Sequence, residues 1–244
     1  MDPRPGRAKL RGLLVVDKPA GPTSMDVVRR VRRAAGGVKT GHAGTLDPLA
    51  TGVLICCLGG ATRSVDRLMD LPKVYEAQVD LSAFTSTDDR EGQREEVAVA
   101  HPPTREQVEA ACASLVGVIE QAPPAFSAVH VKGQRAYKLA RRGQAVDLPT
   151  RPVRIDAVEV LSYAWPMLSL RITCGRGTYI RSIARDIGKQ LGTGGHLAAL
   201  RRTAVGPYTL EQALPLDQLD QPITQDMLLP EPPPAKTPGQ AAAK

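Results

Sequence analysis

Apolar and polar positions alternate along this chain in ways that define strands, helices and two polar excursions. Leu13 to Val16 is a short apolar run that breaks at two prolines and a glycine, which predicts a strand running into a loop. TSMDVVRRVRRAAGG then places Val27, Val28 and Val31 on one side of a helix, leaving Arg29, Arg30, Arg32 and Arg33 largely solvated. Thr23 and Asp26 form its capping pair, and Gly36-Gly37 supplies the stop. VLICCL is continuously apolar, as in a strand covered on both faces. KVYEAQVDL alternates cleanly, with Tyr75, Ala77, Val79 and Leu81 on one face.

TREQVEAACASLVGVIEQ predicts an amphipathic helix with a Thr104–Gln107 capping box and Val108, Cys112, Leu115 and Ile119 inward. VRIDAVEVLSY and MLSLRITC alternate as two strands that meet near Ala164–Pro166. GRGTYIRSIARDIGKQLG leaves the second strand for a helix with Ile180, Ile183, Ile187 and Leu191 inward. Tyr179 and Arg181 therefore fall at a strand-to-helix junction, a usual place for site residues. The excursions are APPAFSAVHVKGQRAYKLARRGQ, which is basic, proline-bracketed and weakly periodic, and a proline-rich tail ending PEPPPAKTPGQAAAK, which reads as disordered. No internal repeat is visible.

Composition sharpens this picture. Hydrophobic residues make up 42% of the 244, but aromatics only 3%, so the core rests on Val, Leu, Ile and Ala and each tyrosine merits its own reading. The net charge of +7 points to a polyanionic partner, most simply nucleic acid, against the plainer reading of a soluble protein with surplus arginine. Cys56, Cys57, Cys112 and Cys174 lie in apolar runs without C-x-x-C spacing, as expected of buried, reduced thiols in a cytoplasmic protein. The four histidines lack metal-ligand spacing, so no metal is expected. The basic N-terminus has no apolar segment behind it, which predicts no secretory leader, and no apolar run reaches the ~18 residues of a membrane span.

One stretch raises a chemical question. GHAGTLDPLATGVL holds a lone carboxylate, Asp47, in a Gly/Thr-rich turn before Pro48. Such a turn can hold an aspartate by its own amides, and aspartate is common in turns. Glycosidase chemistry would want a second carboxylate, and a phosphate loop would want Gly-Lys-Ser/Thr. A lone working aspartate suits nucleophilic or electrostatic catalysis.

At this point the sequence resembles the bacterial tRNA pseudouridine synthase B family. GHAGTLDPLATGVLICCLGGATR is similar to that family's signature, and VDKPAGPTS, KVYEAQV, CGRGTYIRSIARDIG and GGHLAALRRTAVGPY follow its order over about residues 11–215. The resemblance implies a mixed α/β (α+β) pseudouridine synthase fold, with a mostly antiparallel central sheet, flanking helices and a thumb-like insertion at about 121–150. The implied organisation is a basic extension at 1–10, a catalytic domain at 11–228 and a disordered tail at 229–244. Many family members continue into a small RNA-binding PUA domain where this sequence turns proline-rich. RNA binding is therefore expected of the catalytic domain.

Carried over by position, Asp47 falls on the catalytic aspartate and His42 on the histidine near the flipped-out nucleotide. Tyr75 falls on the aromatic that packs against the target base, and Tyr179 on the second tyrosine of the pocket. Arg181 matches the arginine paired with the catalytic carboxylate, and Leu200 the apolar residue lining the uracil site. The implied reaction isomerises the T-loop uridine 55 of tRNA by cleaving C1′–N1 and rejoining through C5, a net change that requires no cofactor. Asp47 could attack the sugar or take a proton from it, and both routes stay open. Basic residues including Lys132, Lys138, Arg141, Arg142, Arg201 and Arg202 could contact phosphates of the T stem-loop. A monomer is expected. Ser82 and Ser86 depart from the glycine and aspartate common in the family, whereas Asp89 is retained. The reading of another class is a non-catalytic tRNA-binding or folding module on the same scaffold.

Overall fold

The computed structural model describes residues 10–127, 130–131, 134–135 and 148–233. Two compact units emerge, one of Met1–Leu71 with Gly206–Lys244 and one of Pro72–Val205. In chain order, the first unit begins with β1 (Gly12–Lys18), α1 (Ser24–Ala34), β2 (Thr40–His42), β3 (Thr51–Leu58) and α2 (Val65–Asp70). The second unit carries β4 (Lys73–Asp80), β5 (Ala83–Thr85), β6 (Arg94–Glu96), α3 (Arg105–Ala113) and β7 (Gly117–Gln121). It continues through the short β8 (His130–Val131) and β9 (Gln134–Arg135) to β10 (Arg151–Ala164), β11 (Met167–Cys174), α4 (Ile180–Leu191) and β12 (His196–Val205). The first unit resumes with β13 (Tyr208–Thr209) and β14 (Leu214–Pro215). The architecture is mixed α/β with mostly antiparallel strands, as the sequence implied.

In the first unit β3 runs antiparallel to both β1 and β2, and β14 lies parallel to β1. All but the first residue of β3 are buried, so its unbroken apolar run marks a strand covered on both faces. Cys56 and Cys57 are free thiols inside it. Helix α1 starts as expected: Thr23 and Asp26 cap each other reciprocally, and Val27, Val28 and Val31 are buried. Its arginine face is partly paired, with Arg29 bonded to Asp26 and Arg30 to Asp220 at 2.6 Å. Leu229, the first residue of the expected disordered tail, exchanges backbone hydrogen bonds with Leu13 at 2.8 and 2.9 Å. Residues 234–244 lie outside the described residues.

In the second unit the antiparallel order is β12-β4-β11-β10-β7. Strand β4 keeps its alternation, with Tyr75, Ala77 and Val79 buried between more exposed Val74, Glu76 and Gln78. The helix expected over 104–121 is half right. Its Thr104–Gln107 box forms, but α3 ends at Ala113 and residues 117–121 become β7. Gly117 sits at φ +121, which breaks the helix, and the β-branched Val118 and Ile119 after it suit the pleat. Ile119 is thus a strand residue paired with Val153 on β10.

Helix α4 packs close to the turn before β12 because glycines line the contact. A Cβ on Gly188 would meet the Gly194 carbonyl oxygen at 2.1 Å, and one on Gly194 would meet the Ala83 nitrogen at 2.2 Å. No helix among the described residues is long and apolar enough to cross a membrane.

Candidate active site

The sequence-derived site residues divide between the units, His42 and Asp47 in the first and Tyr75, Tyr179, Arg181 and Leu200 in the second. His42 closes β2 opposite Cys56, so Gly41-His42 is strand rather than the start of a loop. The chain then turns, and Ala50 donates to the Asp47 carbonyl at 3.1 Å.

Both neighbours of Asp47 are held from the stretch that runs from the end of β1 to the start of α1. The Ser24 hydroxyl donates to the Leu46 carbonyl at 3.0 Å and accepts from the Leu46 amide at 2.8 Å. Pro48 offers its carbonyl to the Gly21 amide at 2.9 Å and to the Lys18 ammonium at 3.3 Å. Lys18 is wholly buried and also donates to the Pro19 carbonyl at 2.8 Å. A turn clamped on both flanks presents its central side chain at a fixed place, which a merely local Asx turn does not require.

In the second unit Tyr75 faces Arg202 across β12, and Leu200 faces Ala77. Tyr75 and Leu200 are therefore diagonal neighbours on one face of adjacent strands, both 8% exposed. Arg202 shares that face and is 1% exposed, which corrects its expected role as a solvated phosphate contact. The cause is period two: on β12, Leu200 and Arg202 both point into the unit. The candidates Lys132, Lys138, Arg141 and Arg142, like most of the 121–150 excursion, lie outside the described residues.

Tyr179 is the N-cap of α4, reached through a turn that needs Gly177 at φ +87. Arg181, the second residue of α4, is 6% exposed. Its Nη1 donates to the Thr87 carbonyl at 3.1 Å and meets Asp89 Oδ2 at 3.3 Å, and its Nη2 donates to the Phe126 carbonyl at 3.1 Å. One turn on, Arg185 pairs with Asp88 at 2.7 Å and donates to the Ala122 carbonyl at 3.0 Å. Burial pushes the Asp88 carboxyl up, and the adjacent Arg185 opposes that shift. The two arginines of α4 thus fix the 86–92 loop and the segment after β7.

Asp89, Ser24 and Lys18 were not singled out as site residues from the sequence. Asp89 had a signal, its retention beside two departures, but Ser24 reads only as a helix start. Among the described residues no three His, Cys, Asp or Glu side chains form a metal-binding group.

Comparison with solved structures finds the same chain path. A chain of a "Cbf5-Nop10-Gar1 Complex" superposes with a TM-score of 0.66 at 31% identity, over 84% of this chain and 52% of that one. A second, from an "H/ACA RNP bound to a substrate RNA containing 2'-deoxyuridine", gives 0.63 at 29% identity, over 84% of this chain and 51% of that one. This chain spans about half the length of those solved chains.

Residues 32–180 match the family model "TruB family pseudouridylate synthase (N terminal domain)", and residues 181–229 match "tRNA pseudouridylate synthase B C-terminal domain". The class is therefore pseudouridylate synthase, an isomerase. Proteins named tRNA pseudouridine synthase B from Thermobifida fusca and Corynebacterium efficiens are 52% and 50% identical. The matches cover 85% of this chain in both cases, and 74% and 71% of the relatives. The chain belongs to the TruB family.

Proposed function

We propose that this protein is a tRNA pseudouridine synthase that isomerises the T-loop uridine, position 55, with Asp47 as its catalytic carboxylate. The clamped turn carries this reading. Ser24, Gly21 and Lys18 fix the backbone on either side of one carboxylate, and an isomerisation without net hydrolysis or redox change asks for no second one. Relatives at about half identity that bear this activity in their names support the substrate class.

The target base is stacked within a folded arm, so it must be extruded at a cost of a few kcal/mol. Stacking on an aromatic ring returns about 1–3 kcal/mol, the role assigned to Tyr75, with Leu200 beside it as the apolar wall. His42 supports the extruded nucleotide, Tyr179 completes the pocket, and Arg181 provides the cation for the Asp47 carboxylate. The net charge of +7 suits the T stem-loop backbone. A cytoplasmic location fits the buried, free thiols.

Tritium release from C5-labelled uridine in a tRNA transcript tests the reading. The wild-type chain releases tritium from the intact transcript and none from one lacking the T-loop uridine. Asp47→Asn abolishes release while retaining tRNA binding. Release without that uridine overturns the site specificity, and native release by the Asn variant overturns the catalytic role of Asp47.

A further inference from the structure

Strand β7 ends and β10 begins at one rung of the sheet. Gln121 ends β7, Arg151 begins β10, and the two are register partners. Both side chains reach Tyr179. Gln121, 1% exposed, commits both ends of its amide to the Tyr179 backbone: Nε2 donates to the carbonyl at 3.1 Å and Oε1 accepts from the N–H at 2.8 Å. The side chain thereby imitates a strand rung to a residue 58 positions away. Arg151 acts on the ring, its guanidinium carbon 4.9 Å from the centroid while Nη2 donates to the Gly177 carbonyl at 2.6 Å. The buried Nε of Arg151 has no hydrogen-bond partner among the described residues.

Capping a helix start requires only an acceptor for an amide, and many side chains supply one. Here a donor and an acceptor hold a single residue's backbone, and the guanidinium of a second residue lies over its ring. A guanidinium that leaves one buried donor unmade while covering an aromatic face is placed for that face.

We propose that Gln121 and Arg151 are positioning residues for Tyr179: Gln121 sets its backbone, Arg151 sets its ring, and the two attachment points of the 122–150 segment thereby shape the uracil pocket. The consequence for catalysis rests on the pocket role given to Tyr179 under the proposed function.

The test uses the full chain labelled with 3-fluorotyrosine, which places fluorine at its five tyrosines. The Tyr179 resonance is identified by its loss in Tyr179→Phe. Gln121→Met and Arg151→Met each shift or broaden that resonance and leave those of Tyr163 and Tyr208 in place. In single-turnover isomerisation of a T-arm transcript, Gln121→Met slows the reaction about tenfold with tRNA affinity held within about twofold. In a Tyr179→Ala background the same change costs less than about twofold, since a residue acting through a ring has no effect once the ring is gone.

An unmoved Tyr179 resonance in either folded variant, or equal slowing in the Tyr179→Ala background, overturns the proposal. Should Gln121→Met fail to fold, Arg151→Met at its half-buried position carries both arms. A wild-type chain that isomerises nothing defeats the proposed function, while the fluorine spectra still decide the positioning.

Discussion

Arg181 Nη1 lies 3.3 Å from Asp89 Oδ2, with 7% and 6% of the two side chains exposed. The carboxylate also accepts from the Thr87 hydroxyl at 2.6 Å and the Glu91 amide at 3.1 Å, so one buried anion ties the 86–92 loop to α4. Removing one member of a buried pair leaves the other's desolvation uncompensated, at about 3–5 kcal/mol. Asp89→Ala is expected to lower unfolding free energy by about that amount, and Asp89→Asn by less because acceptors remain. Urea denaturation of both variants beside the wild type is the measurement, and an Asp89→Asn midpoint equal to that of the wild type would show that the charge contributes nothing.

Ser24 offers a handle on the turn that carries Asp47. Its hydroxyl makes two hydrogen bonds to Leu46, so Ser24→Ala leaves a buried carbonyl and amide short of partners at about 1–3 kcal/mol. A looser turn is expected to slow single-turnover isomerisation about tenfold with little change in tRNA affinity. Rapid-quench kinetics with filter binding separates the two effects.

Ser82, a departure from the family pattern, has a local task. Partial burial tends to raise the Asp80 carboxyl, but the Ser82 hydroxyl and amide, together with Arg94 and the nearby His196, hold it below its ordinary value. A carboxyl depressed in the folded state stabilises the protein fully above its unfolded value, and this is lost as pH falls through the folded value. Ser82→Gly removes one donor and so part of this stabilisation: the variant is expected to be less stable than the wild type near pH 7, with the gap narrowing as pH falls below the unfolded value. Unfolding midpoints between about pH 2 and pH 7 report the narrowing, and a gap that stays constant over that range would show that the Ser82 hydroxyl does not act through the Asp80 carboxylate.

Gly188→Ala forces a Cβ to 2.1 Å from a backbone oxygen. Backbone on both sides of the contact cannot yield as a side chain would, and overpacking of this kind costs about 1–3 kcal/mol. Thermal melting should show a drop of several degrees, larger than for alanine at half-buried Gly41, where nothing lies within 4 Å of the added atom.

Strand and helix types were legible where one face is buried, as in β4 and α1, because periodicity there reports burial directly. The 104–121 segment misled because its apolar spacing continues at helical intervals past Ala113, while the left-handed turn at Gly117 is a backbone property that spacing does not encode. Arg202 was misplaced for a related reason: an arginine beside Arg201 reads as surface, and only the pairing of β12 with β4 turns it inward. The candidate site residues Asp47, Tyr75, Tyr179 and Arg181 stood out through collinear motifs. Their supports did not, since Ser24, Gln121 and Arg151 act over 22, 58 and 28 positions of sequence and belong to no shared local pattern.

The buried thiols have a use as clocks. Burial pushes Cys112 and Cys174 up to about 11 and Cys57 up to about 12, and moves Cys56 further in the same direction. At neutral pH a thiol near 11 is ionised on the order of one part in ten thousand, so alkylation of the native chain is slow. Two of the four belong to each compact unit. Pulsed alkylation followed by peptide mass analysis can therefore time how often each unit opens, in the untouched wild-type sequence and with no introduced probe.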